Sequence, residues 1–67
     1  MKINGQKIQT LQAALGISQG RLAEMSEVSR QTLSTLLARG SCRPETAGKI
    51  ARALGVKPEE IADTRAE

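Results

Sequence analysis

The sequence predicts an all-α fold, five short helices in one compact domain. Three observations lead there. Apolar residues recur at spacings of three and four, glycine and proline cut the chain into short pieces, and no stretch alternates polar and apolar residues as a half-buried strand would. A further regularity lies at the helix starts, where an apolar residue just before a cap position is answered by another five positions later, the spacing of a hydrophobic staple. The pairs are Ile3 with Ile8, Ile17 with Leu22, Val28 with Leu33, Cys42 with Ala47, and Val56 with Ile61.

The first helix is expected over 5–15. Asn4 stands at its cap, where a side-chain oxygen takes a free backbone N–H and contributes about 1 kcal/mol. Ile8, Leu11 and Leu15 make its stripe, and Gly16 suits a left-handed end. The second helix, 19–25, follows the cap Ser18. The third, 30–39, follows Ser29, gathers Leu33, Leu36 and Leu37 on one side, and ends with Arg39 in its last turn before Gly40. The fourth, 44–54, and the fifth, 58–62, follow Arg43 and Lys57, whose side chains cannot accept a hydrogen bond. Pro44 and Pro58 at the first helical position, with Glu45, Glu59 and Glu60 near the positive end of the helix dipole, take over the task of starting them. Ala47, Ile50, Ala51 and Leu54 share the inner face of the fourth helix, which Gly55 closes. Gly48 interrupts that face, and because an interior glycine costs about 1 kcal/mol relative to alanine, a close backbone neighbour is expected there.

One domain spans 1–67, with an acidic tail at 62–67. Residues 1–57 hold nine lysines and arginines against three acids, whereas residues 58–67 hold one arginine against four acids. A basic body fits a polyanionic partner, with an ordinary solvated surface as the alternative. The single cysteine, Cys42, has no partner for an intrachain disulfide and no histidine beside which to bind zinc, so a reduced cytoplasmic setting is expected, without metal or cofactor. No apolar run nears the roughly 20 residues that span a bilayer, and no signal peptide is evident.

The caps Ser18 and Ser29 leave room for a short helix, a turn at Ser26, Glu27 and Val28, and a longer helix. That is the length of a helix-turn-helix over about 18–39. Here "ISQGRLAEMSEVSRQTLSTL" and "KIARALGVKPEEIAD" resemble the Cro and phage-repressor (XRE) family, from about Ile8 to Ala62. Ser18-Gln19, Leu22-Ala23, Val28-Ser29, Leu33 and Ala53-Leu54-Gly55-Val56 carry the resemblance in that order. It implies a lambda-repressor-like fold whose third helix lies in the DNA major groove while the second crosses above the backbone. Three departures stand out. Glu27 occupies a turn position often held by glycine, Gln12 and Leu37 replace an arginine–glutamate pair of many relatives, and the connection from Gly40 to Arg43 fits the family pattern least well.

At about 100° per residue, Gln31, Ser34, Thr35 and Ala38 fall opposite the leucines of the third helix, with Arg30 at their N-terminal edge. A merely solvated face would carry Glu and Lys, the better helix formers. By chemistry, Arg30 suits guanine, Gln31 adenine and the Thr35 methyl a thymine methyl. Together with Ser34 these are the candidate base-reading residues, and Arg30, Gln31 and Thr35 match base-reading positions of the family. Gln19 matches a family position that commonly holds a phosphate. Ser29, a cap that also reaches the surface, and Arg39 and Arg43 at the far end of the third helix complete the candidate backbone contacts.

The resulting expectation is a sequence-specific regulator of double-stranded DNA, a small Cro-like repressor acting as a homodimer on a pseudo-palindromic operator, with a dimer surface on the fourth and fifth helices near Ile61. The alternative is a protein-interaction module, such as an antitoxin or anti-repressor, that presents the same fold to a protein partner. Enzymatic routes lack parts: there is no histidine, no phosphate-cradling glycine loop and no metal set. Single-stranded nucleic acid is disfavoured too, because the chain has no aromatic ring on which bases stack.

Overall fold

A computed structural model describes residues 1–63. Its elements are α1 (Gly5–Leu15), α2 (Gln19–Met25), α3 (Arg30–Arg39), α4 (Pro44–Leu54) and α5 (Pro58–Ile61). The first four keep the bounds read from the sequence, and the fifth stops one residue short. Ala62 turns extended there, at φ −72° and ψ 144°, and pairs with Ile3 in an isolated antiparallel bridge.

The helix starts follow from their caps. Asn4 Oδ1 accepts from the Lys7 N–H at 3.1 Å, Ser18 Oγ from Arg21 at 3.1 Å, and Ser29 Oγ from Thr32 at 3.0 Å. No side-chain bond caps α4. At α5 the Glu60 carboxylate accepts from the Lys57 N–H at 3.0 Å, so the N3 acid does the work that Lys57 cannot. Gly16, Gly40 and Gly55 close α1, α3 and α4 at φ 68°, 71° and 73°.

All ten staple residues lie in the core or against it. Ile3, Ile8, Leu22, Leu33, Ala47 and Ile61 are buried, while Ile17, Val28, Cys42 and Val56 pack from the side. Ile8, Leu22, Leu33, Ile50 and Ile61 are fully buried, each worth about 2 kcal/mol of transfer free energy. Without aromatic side chains the core is an aliphatic layer in which α4 is the common support: α1, α2 and α5 all pack on it. Ile61 is buried inside the monomer, so a dimer surface at this end would have to use its neighbours instead.

The first residues form a seam that no strand pattern announced. Ile3 N–H bonds to the Gly40 carbonyl at 2.9 Å and Cys42 N–H to the Met1 carbonyl at 2.9 Å. On the other side, Asn4 N–H bonds to the Ile61 carbonyl at 2.8 Å and Asp63 N–H to the Lys2 carbonyl at 3.1 Å. The N-terminal segment thus ties the α3–α4 connection to the exit of α5. Of the acidic tail, only Ala62 and Asp63 are described; residues 64–67 lie outside the described residues.

Two backbone expectations, at Glu27 and Gly48, meet different outcomes. Glu27 does adopt the left-handed region, at φ 60°, which costs an L-residue about 1–2 kcal/mol. Gly48 has no close neighbour: a Cβ built there meets nothing within 4 Å, so the expected contact is corrected and α4 simply carries the propensity penalty. The close approaches are elsewhere. A Cβ at Gly5 would lie 3.3 Å from the Leu37 carbonyl oxygen, and one at Gly20 would lie 3.2 Å from Arg30 Nε. Gln12, in place of the family arginine, is half-buried with its Oε1 unpaired, while Leu37 packs against the core.

A candidate DNA-reading surface around the third helix

The leucine side of α3 anchors it. Leu33 and Leu36 are buried and Leu37 half-buried, which turns Gln31, Ser34, Thr35 and Ala38 outward, and all four are exposed. The two sides follow directly from the helical period: burying the leucine stripe leaves the polar stripe nowhere to go but solvent. The start of the helix is locked by a reciprocal contact. Besides accepting the Thr32 N–H, Ser29 Oγ donates to Thr32 Oγ1 at 2.7 Å, so the capping hydroxyl has both its donor and one acceptor site engaged.

Three clefts border this helix and collect the predicted residues. A cleft of about 380 Å³ between α3 and the start of α4 is lined by Ser29, Gln31, Thr35, Arg39, Arg43 and Thr46. A smaller one of about 240 Å³ brings Gln19 of α2 beside Ser34 and Ala38 of α3, with Gln9 of α1 on its rim. The third, about 770 Å³, runs along the α2–α3 seam past Ser18, Gln19, Gly20, Ser29 and Arg30. All eight candidate residues therefore surround one helix, although they come from α2, α3 and two caps.

Charge on this side is positive and unspent. Arg30, Arg39 and Arg43 are exposed and none pairs with an acid among the described residues, whereas Arg21 is held by Glu24 at 3.6 Å. Cys42 lines the first cleft as a half-buried thiol. Burial pushes its pKa above the ordinary thiol value, and the nearby N-terminal ammonium, which donates to the Cys42 carbonyl at 3.0 Å, offsets part of that rise.

Thr46 and Gln9 escaped sequence reasoning. Thr46 follows Glu45 in the first turn of α4, and its proximity to Arg43 would have nominated it had the cleft between α3 and the start of α4 been known. Gln9 sits one residue off the apolar stripe of α1, and no local pattern marks it.

A short helix, a tight turn and a longer helix with one side buried and an uncharged, hydrogen-bonding side open to solvent define a helix-turn-helix domain. The sequence agrees: a family model described as helix-turn-helix matches residues 8–61. The chain belongs to this XRE-like helix-turn-helix DNA-binding family, which marks it as a DNA-binding regulatory protein. No curated protein and no solved structure matches it. Among the described residues, no helix is long and apolar enough to cross a membrane.

Proposed function

We propose that the chain is a sequence-specific, double-stranded DNA-binding transcriptional regulator, a small Cro-like repressor that works in the cytoplasm as a homodimer on a pseudo-palindromic operator. The observation that carries this reading is the uncharged polar face of α3, left open while the opposite leucine face is buried. Small side chains let the helix approach the groove floor, and the Gln31 amide and the Ser34 and Thr35 hydroxyls then meet base edges, with the Thr35 methyl suited to thymine. Arg30 stands at the N-terminal edge of the same helix.

Gln19, Arg39 and Arg43 border that face from both ends and hold the register on the sugar-phosphate strands, a task that carries no sequence information itself, and Ser29 joins them by turning its hydroxyl from Thr32 to a phosphate. One such unit makes few contacts. Two units related by a dyad place two recognition helices on successive major grooves, with half-sites about 34 Å apart.

Selection of bound sites from a random duplex library tests this. The expected result is a pseudo-palindromic consensus, with affinity falling by about 0.9 log units per log unit of salt for each phosphate neutralised. A library that yields no enriched sequence, with binding indifferent to salt, contradicts it.

A further inference from the structure

Arg30 is the first residue of α3, yet its side chain lies across α2. A Cβ built on Gly20 would stand 3.2 Å from Arg30 Nε and 3.5 Å from both its Cδ and Cζ. The guanidinium and its stem therefore occupy the space that a side chain at position 20 would fill. Gly20 is interior to the first turn of α2, where glycine has no conformational role: its φ is not in the left-handed region. The missing side chain matters for what lies over it.

The surroundings leave the guanidinium free to act. It lines the cleft along the α2–α3 seam with Ser18, Gln19 and Ser29, and the acid bordering that cleft, Glu24, is taken by Arg21 at 3.6 Å. Packed helix axes stand about 8–10 Å apart, so a group resting on α2 is drawn off the axis of α3 toward the neighbouring helix. With α3 in the major groove, α2 is the helix that crosses the backbone. A guanidinium laid along a glycine keeps N–H edges open, and that planar fork matches a phosphate.

We propose that Arg30 grips a backbone phosphate rather than a base edge, and that Gly20 is the positioning residue whose absent side chain lets it lie there. This rests on the DNA-binding reading above and assigns base recognition to Gln31, Ser34 and Thr35.

The test measures binding of the wild type, Arg30→Ala, Gly20→Val and the double variant to the selected duplex and its single-base-pair variants over a range of salt. Arg30→Ala is expected to weaken all these duplexes by one common factor of about ten, keep their order of preference, and make the salt slope shallower by about 0.9. The nearest atoms to a Cβ at position 20 all belong to the flexible end of Arg30, so Gly20→Val should not lower the thermal midpoint while weakening binding about threefold or more, with no further effect once Arg30 is Ala. Gly20→Ala should act in the same direction at smaller size. Relaxed preference at one base pair with an unchanged salt slope in Arg30→Ala overturns the proposal. So does a Gly20→Val effect that persists undiminished without Arg30, or its absence. A wild type that enriches no duplex overturns the regulator reading itself, which is a separate outcome.

Discussion

Two glycines on one helix should respond to alanine with opposite signs. Gly48 lies inside α4 and Gly55 caps its end. At Gly48 the added methyl meets nothing within 4 Å, so the substitution recovers the helix-propensity deficit of glycine, about 1 kcal/mol, with no steric charge against it. In a domain of this size that amounts to roughly 4–8 °C in Tm. At Gly55 the space is equally open, but φ is +73°, a region where an L-residue costs about 1–2 kcal/mol. Gly55→Ala should therefore lower the midpoint by a similar or larger amount. Both are read by thermal and urea melts of the helical circular-dichroism signal at one fixed protein concentration, since association would shift the midpoint by mass action. A lower midpoint for Gly48→Ala with an unchanged urea slope would refute the reasoning, because a methyl in open space on a helix has no route to that result.

Other consequences follow from the same geometry. Glu27→Gly removes a strained left-handed conformation and should raise stability by about 1 kcal/mol in a urea titration. Leu33→Ala empties a fully buried site beneath the polar face of α3 and should cost about 2–5 kcal/mol in the same titration, enough to unfold much of so small a domain. Cys42, whose thiol pKa is raised chiefly by burial, should react with a thiol reagent more slowly at neutral pH than a cysteine in a short peptide. The folded chain holds that proton more tightly than the unfolded one, so the stability linked to it is complete below the ordinary thiol pKa and is lost as pH rises through the higher folded value. A melt series across that alkaline range measures the loss.

The helices were legible because their determinants are local. Asn4, Ser18 and Ser29 each cap within three residues, Pro44 and Pro58 set their own φ, and the staple pairs repeat at a constant spacing, so the boundaries of α1 to α4 could be read without any knowledge of packing. The exposed stripe of α3 was legible for the same reason. What escaped depends on residues distant in sequence. Gly48 looked like a contact glycine, yet the close approaches are Gly5 against Leu37 and Gly20 against Arg30, and those become visible only when helices dock. The seam of Met1 to Asn4 with Gly40–Cys42 and Ile61–Asp63 uses segments too short to show a period of two, and it ends α5 one residue early by drawing Ala62 into a bridge. Thr46 and Gln9 line clefts beside α3 that likewise form only once the chain is folded.

The central claim is that the polar face of α3 reads base edges, and Gln31 tests it most directly because it is exposed, uncharged and outside the leucine stripe that holds the fold. The measurement is the affinity of Gln31→Ala for the selected duplex and for each of its single-base-pair variants. A base-reading amide predicts loss of discrimination at one position in each half-site, worth about 1–3 kcal/mol, with affinity for an unrelated duplex unchanged. Equal weakening on every duplex, or no change at all, would contradict it.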